Sequence, residues 1–456
     1  MRQLTITALM VGTLLAGCTA PNPPRPEAAA VAAPVAWRTN LPAGAALEAD
    51  WWGRFGDPAL GRLVERARAN NPDVAIAAAR VQEARANERL ARAQLFPSLD
   101  VGAGVSEARA VNPLGVPTTN TGFQPLFQAA YEIDLFGRIG NQVEAARQST
   151  AASEAARDTA LLSVTAATAS GYITLRALDA RREVVQATIA SRAEALRLAR
   201  SRAEVGYTSQ LELRQAEAEY RATTQILPQV DLAIRRQENA LSILTGVAPQ
   251  QIERGTPLSS LQAPPVPAGL PADLLRRRPD IAQAEFTLAA TDASLAAARA
   301  QFLPSLRLTG STGLTLSTAL ADPVSIWSIG ASVLAPLFQG GRLRANVEGA
   351  AARRDQAAFS YQRTALTAFR EVEDNLAAVD RLAAQRRELE AQRTATAEAL
   401  RHAANRYRAG YAAYLEQLDA QRALLNVELT LVQLRADQLN SLVALYQAMG
   451  GGWSRP

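Results

Sequence analysis

The chain has 456 residues, is 48% hydrophobic but only 5% aromatic, and carries a net charge of +5 in which every basic residue is an arginine. One cysteine, Cys18, excludes a disulfide within the chain, and one cysteine with one histidine, His402, leaves too few soft ligands for an ordinary zinc site. Neither a phosphate-cradling P-loop nor a dinucleotide-binding glycine turn occurs. His402 sits in an arginine-rich helical stretch and reads as a solvated helix residue, so the chain is poor in catalytic parts and is expected to be no enzyme. The one dense basic run, Arg276–Arg278, reads as a solvated helix boundary before Pro279, so no nucleic-acid partner is expected.

In chain order, Arg2 precedes an apolar run from Leu4 to Leu15 that is shorter than the roughly 20 residues of a membrane-spanning helix. It fits the core of a secretory signal, predicted over 1–17. The run ends in Leu15-Ala16-Gly17-Cys18, which resembles the bacterial lipobox. That resemblance implies covalent diacylglycerol and N-acyl groups on Cys18, and no other cofactor. Thr19 in the next position implies an outer-membrane destination. Residues 18–50 are expected to be the lipid anchor and a tether, flexible over the Pro- and Ala-rich 19–36.

The rest is written twice. Pro72-Asp73, Gln94 and Pro97-Ser98-Leu99 recur as Pro279-Asp280, Gln301 and Pro304-Ser305-Leu306, about 207 positions on (279 − 72). Gly206-Tyr207, Leu211-Glu212 and Gly246 recur as Gly410-Tyr411, Leu415-Glu416 and Gly450, about 204 on (410 − 206). The predicted division is a first repeat at 51–247, a proline-rich connector at 248–272, a second repeat at 273–450 and a tail at 451–456. Each repeat reads helix, two strands, two long helices. Asp57-Pro58 opens a helix that runs to about Phe96, where Pro97 stops it. Residues from about 140 to 204 form one helix, and a second follows Gly206 to about Leu244; the second repeat matches over about 342 to 408 and 414 to 449. Sixty-odd residues at 1.5 Å each is on the order of 90 Å, so these helices need partners along their length. Leu424, Val427, Leu431 and Leu434 mark a coiled-coil seam.

The four strands have unlike faces. Leu99, Val101, Ala103 and Val105 oppose Asp100, Gly102, Gly104 and Ser106; Phe127, Ala129, Tyr131 and Ile133 oppose Gln128, Ala130, Glu132 and Asp134. In the second repeat Leu306, Leu308, Leu314 and Leu316 oppose Arg307, Thr309, Ser311 and Thr315, and Trp327, Ile329, Ala331 and Val333 oppose Ser328, Gly330 and Ser332. Alternation over about ten residues is the pattern of an outer-membrane barrel, and also of a half-buried sheet in a soluble protein. Four strands cannot close a membrane barrel, and an open edge in lipid leaves backbone groups unpaired, so spanning strands require an oligomer.

Trp51-Trp52, Phe55, Asp57-Pro58-Ala59-Leu60, Asn71-Pro72, Leu135-Phe136-Gly137-Arg138 and Leu337-Phe338-Gln339-Gly340-Gly341-Arg342 resemble the signatures of TolC-like outer-membrane factors, in particular the NodT-type efflux lipoproteins. The resemblance runs from Cys18 to about Gly450. It implies a mostly α fold with a membrane β-barrel: a homotrimer whose twelve-stranded barrel is continuous with a twelve-helix α-barrel tunnel. It implies an outer-membrane exit duct with a long periplasmic extension, which passively passes small molecules delivered by a periplasmic adaptor (membrane fusion) protein. The pump behind the adaptor would be an inner-membrane protein, commonly of the resistance-nodulation-division type. Three methionines and one histidine favour organic cargo over metal ions.

The same resemblance places a periplasmic gate on Tyr407, Glu416 and Asp419. Three copies of the two acids would form a negative ring that attracts cations. The plain alternative is that both acids are solvated at a helix start, where the positive helix end favours them. The family's arginine partner for the tyrosine falls on Ala412, leaving Arg406 or Arg408 to substitute. The tips at Gly206-Tyr207 and Gly410-Tyr411 are expected to dock the adaptor. The rival reading of the whole chain is a lipid-anchored periplasmic coiled-coil adaptor or scaffold, against which the duplicated strand pairs argue.

Overall fold

The computed structural model describes residues 24–39, 47–111, 113–267 and 269–455; the signal expected over 1–17 and Cys18 lie outside them. Two compact units are formed, and each draws on both repeats. The first contains the described residues up to Ala30 with Ala79–Glu154 and Gln283–Arg363, and the second contains Val31–Ala78, Ala155–Ala282 and Thr364–Pro456.

The first repeat begins with a 3-10 turn at Trp51–Phe55, then α1 (Pro58–Asn70) and α2 (Pro72–Ala93). The single helix expected over this stretch is broken at Asn71. Pro72 offers no N–H and holds Asn71 extended, at φ −65° and ψ 129°. The Asn71 side chain makes use of the break, accepting from the N–H groups of Asp73 and Val74 and donating to the Leu244 carbonyl (2.9 Å). Strands β1 (Ser98–Val111) and β2 (Pro117–Ile133) follow, then α3 (Arg138–Glu204), α4 (Gln210–Thr224) and α5 (Ile226–Leu244). The α4–α5 break at Gln225, where one helix was expected, follows Thr224, which lies four residues before Pro228 and finds no N–H there for its carbonyl.

The second repeat gives α6 (Pro271–Arg277), α7 (Pro279–Ala300), β3 (Ser305–Ser317), β4 (Val324–Leu334), α8 (Arg342–Arg408) and α9 (Tyr414–Ala448). Arg278 stands where Asn71 stood and makes the same bond, donating to the Ala448 carbonyl at 2.8 Å. It is also paired with Asp280 (2.7 Å) and Glu371 (2.8 Å). Burial alone would lower its pKa, but these two carboxylates outweigh it and leave the pKa raised. Of the three arginines expected to be solvated, Arg276 and Arg277 are exposed and Arg278 is buried.

In the first unit the four strands form one antiparallel sheet in the order β1-β2-β3-β4. Its register puts Val101, Phe127, Thr312 and Trp327 in one row, and Asp100, Gln128, Ser311 and Ser328 in the next row, on the opposite face. The two faces are therefore those read from the alternation. Val101, Phe127 and Trp327 are 73%, 55% and 74% exposed, so the apolar face is uncovered. The other face is bound across strands, by Ser311 to Ser328 (2.7 Å) and by Gln124 to Thr315 (2.9 Å). Among the described residues no helix is long and apolar enough to cross a membrane.

The segment at 24–30, expected to be flexible, is held in this unit. Arg25 pairs with Asp292 on α7 (2.5 Å), and α8 donates to the strap's carbonyls from Arg354 to Pro24 (3.2 Å) and from Gln362 to Ala28 (2.7 Å).

The second unit holds the main core. Trp51, Phe55 and Leu60 are fully buried among Tyr172, Leu241, Leu439 and Tyr446, and Trp51 stacks on Tyr446 with ring centroids 5.3 Å apart. Asp57 caps α1 by accepting from the Ala59 N–H (2.8 Å) and also accepts from the Tyr172 hydroxyl (2.7 Å) and the Thr256 N–H (2.9 Å). One buried carboxylate thus ties α1, α3 and the connector. The tryptophans and Asp57 of the family-like motif are structural.

Candidate functional site

The two turns that carry the predicted tip residues both belong to the second unit, and they pack together. Each long helix ends in the same way. Gly206 and Gly410 take φ of 78° and 79°, which an L side chain resists. The Tyr207 N–H then reaches back to the Arg202 carbonyl (2.8 Å), and the Tyr411 N–H to the Arg406 carbonyl (2.9 Å), a Schellman closure in both repeats. Both turns present their tyrosines to solvent, with Tyr207 86% and Tyr411 81% exposed. Leu211 and Leu415 are exposed beside them, so each tip offers an apolar point.

The following helices start differently. Ser209 caps α4, accepting from the Glu212 N–H at 3.3 Å, and Glu212 is further held by Thr208. Ala413 gives α9 no side-chain cap. Tyr414 instead buries its ring, 5.4 Å from that of Tyr407, in a small core with Ala199, Ala216 and Leu418.

Tyr407 is buried at the centre of this junction. The Arg202 guanidinium lies over its ring, 5.0 Å from the centroid, and donates to the backbone carbonyls of Tyr407 (3.5 Å) and Arg408 (3.2 Å). Burial, and after it the Glu212 carboxylate, raises the Tyr407 hydroxyl above the ordinary tyrosine range. Burial and then Glu219 do the same to Tyr414. Arg202, on the last turn of α3, is the cation that meets Tyr407 from the opposite tip.

Glu416 and Asp419 are both exposed, three residues apart in the first turns of α9. Arg406 reaches Glu416 at 3.9 Å and the Tyr411 carbonyl at 3.5 Å. Of the two arginines considered as substitutes for the partner missing at Ala412, Arg406 faces the acid.

Behind the tips lies a buried charge cluster that sequence reasoning missed. Glu219 on α4, side chain 9% exposed, binds Arg192 on α3 (2.5 Å) and Arg422 on α9 (2.7 and 3.0 Å). Arg192 also donates to the Glu219 carbonyl (3.2 Å) and to the Thr223 hydroxyl. Burial pulls the Arg192 pKa below its usual value against the opposing pull of Glu219. The signal was present in the periodicity. Val185, Arg192 and Ala199 lie seven apart and are all buried, so Arg192 occupies a seam position.

The arrangement is a set of paired helical turns that expose Tyr207, Tyr411, Glu416 and Asp419. A family model described as outer membrane efflux protein matches residues 63–247 and 270–451. The chain belongs to that family. It is 38% identical to the solvent efflux pump outer membrane protein SrpC of Pseudomonas putida, over 88% of this chain and 87% of that protein. Its identity to the pyoverdine export outer membrane protein OpmQ of Pseudomonas aeruginosa is 32%, over 99% and 98%. The CmeC outer membrane channel of Campylobacter jejuni superposes with a TM-score of 0.86 at 27% identity, over 95% of each chain. The fold is that of the TolC-like channels, mostly helical with a minor strand component. The family is one of transport channels in the outer membrane and not of enzymes. This chain is accordingly the exit channel of a tripartite efflux system, through which small molecules pass passively from the periplasmic machinery to the exterior. Members of the family work with an adaptor and an inner-membrane pump.

Proposed function

We propose that three copies of this chain assemble into a duct whose four-stranded sheets close a twelve-stranded barrel and whose long helices form a twelve-helix tunnel, gated at the periplasmic end by Glu416 and Asp419. The observation that carries the gate is the exposure of both acids on the first turns of α9, beside a tip that is otherwise tied shut within the chain through Arg202, Tyr407 and Tyr414. Repeated around a three-fold axis, the acids make two stacked negative rings that favour cations. The uncapped start of α9 favours Glu416 in its first turn by its positive end, and Arg406 screens that acid. Tyr407 acts as the tie within each copy. The exposed turns at Gly206, Tyr207, Gly410 and Tyr411 are the points that receive the adaptor, and the pump behind it is of the resistance-nodulation-division type. The cargo is organic, in keeping with the solvent efflux and pyoverdine export proteins named among the relatives. Cys18 carries the diacylglycerol and N-acyl anchor.

Planar-bilayer conductance of purified wild-type trimer beside the Glu416→Ala/Asp419→Ala double variant tests the gate. The wild type should show small, cation-selective steps, and the variant should conduct more or lose its cation preference. Unchanged conductance and selectivity would reduce both acids to solvated residues of a helix start.

A further inference from the structure

The two repeats make possible a comparison within one chain. Where β2 leaves the sheet, Leu135-Phe136 precede α3, and where β4 leaves it, Leu337-Phe338 precede α8. The segment leading into β3, Phe302-Leu303-Pro304-Ser305, corresponds 207 positions on to Leu95-Phe96-Pro97-Ser98, which leads into β1. Because β2 and β3 are neighbours in the sheet, the first Leu-Phe pair has its counterpart segment beside it. Leu135 and Phe136 line one cavity together with Leu303, Pro304 and Ser305. That neighbour covers them in part: Leu135 and Phe136 are 61% and 40% exposed, and Leu303, Pro304 and Ser305 are half-buried.

The second pair has no such neighbouring segment within the chain, because β4 and β1 are the two edges of the sheet. Leu337 is 97% exposed and Phe338 89%, and on the other edge Phe96 is 69% exposed, with Pro97 and Ser98 also exposed. The helix-side end of the sheet holds both, since Ser305 pairs with Leu334 and Ser98 with Ala130, near the end of β2. Strand β1 leaves that end and β4 returns to it, so β4 of one copy beside β1 of the next continues the antiparallel alternation and pairs both edges.

We propose that Leu337-Phe338 of one copy packs against Leu95-Phe96-Pro97 at the start of β1 in the next copy, repeating between chains the placement by which Leu135-Phe136 and Leu303-Pro304 line one cavity within a chain. The proposal rests on the trimeric reading above and adds its interface residues. The two-residue difference between the loops fits this role. Leu337 lies 202 positions after Leu135 but Arg342 lies 204 after Arg138, and the extra length falls at Gln339-Gly340-Gly341. Gly340 and Gly341 take φ of 56° and 85° with open space around the position a Cβ would fill, a turn that leaves the Leu-Phe pair projecting beyond its own chain. The occupant is a second copy and not lipid because the first pair, identical in sequence, faces a cavity walled by the counterpart protein segment at the corresponding place.

The test is cysteine cross-linking of the full-length protein in membranes, after its mass in detergent has been measured by light scattering. The Phe96→Cys/Phe338→Cys double variant, treated with a mild oxidant or a short bismaleimide, should run as covalent dimer and trimer on non-reducing gels. Each single variant should stay monomeric, which also controls for the natural Cys18. The Leu95→Cys/Leu337→Cys pair serves as a second copy of the test if the first variant folds poorly. A trimeric mass without cross-linking in either pair, together with labelling of Phe338→Cys by a lipid-phase maleimide, would overturn the contact and assign the pair to the membrane interface while leaving the trimer intact. A monomeric mass for the wild type would overturn the trimeric reading itself, and this contact with it.

Discussion

Glu219 and its two arginines show how differently ion pairs act at one site. Arg192 has a side chain 4% exposed, so its charge depends on the Glu219 carboxylate, whereas Arg422 is 52% exposed and water can replace what it loses. Removing one partner of a buried pair costs about 3–5 kcal/mol, because the other charge is stranded, while half-exposed pairs are worth about 1 kcal/mol or less. Glu219→Ala should therefore lower stability to thermal or denaturant unfolding by about 3–5 kcal/mol. Arg422→Ala should cost no more than about 1 kcal/mol. Equal losses from the two would mean that the cluster is not anchored on Arg192. The same reasoning places Arg202: it is bound to the backbone and ring of the opposite tip, so it holds the two turns of one chain together.

At the scale of elements, each repeat locks its last helix onto its first break with a glycine. A Cβ on Gly246 would come within 2.3 Å of the Asn70 carbonyl oxygen, and one on Gly450 within 1.9 Å of the Arg277 carbonyl oxygen. Both glycines have positive φ, 71° and 93°. The neighbouring side chains repeat the lock with different chemistry, Asn71 on the Leu244 carbonyl and Arg278 on that of Ala448. Gly246→Ala and Gly450→Ala should each destabilise by about 2–4 kcal/mol, the sum of a left-handed backbone penalty and an overpacked contact. Calorimetric melting of each variant in detergent checks this. A loss confined to one of the two would show that the repeats no longer share the lock.

For the molecule as a whole, the strap bears on how the chain meets the membrane. Pro24, which is bound to α8 through Arg354, is the sixth residue after Cys18, and six residue steps reach at most about 21 Å. An acylated Cys18 would thus enter the bilayer close to Pro24 and could not range freely. Intact-mass measurement should find wild-type protein beginning at Cys18 with diacylglyceryl and acyl groups, and Cys18→Ser should lack both. A mature terminus elsewhere, or an unmodified thiol, would overturn the lipoprotein reading.

The sequence by itself determined the repeat, the bounds of the two longest helices and the faces of all four strands. These follow from local physics: proline and glycine end helices wherever they stand, and a period of two sorts side chains to faces before any neighbour is chosen. The break at Asn71-Pro72 follows the same rule, but the apolar pattern continues through it and masks it in the sequence. The tertiary structure alone decided which charged residues are buried. Arg278 and Arg276 are the same residue type in one run, and only the fold brings Asp280, Glu371 and the Ala448 carbonyl around the first of them. The union of Arg192, Glu219 and Arg422 on three helices, and of Arg202 with Tyr407 across some two hundred residues, was likewise beyond the sequence. The energy of such groups depends on how much water surrounds them and which partners replace it, and both are properties of packing.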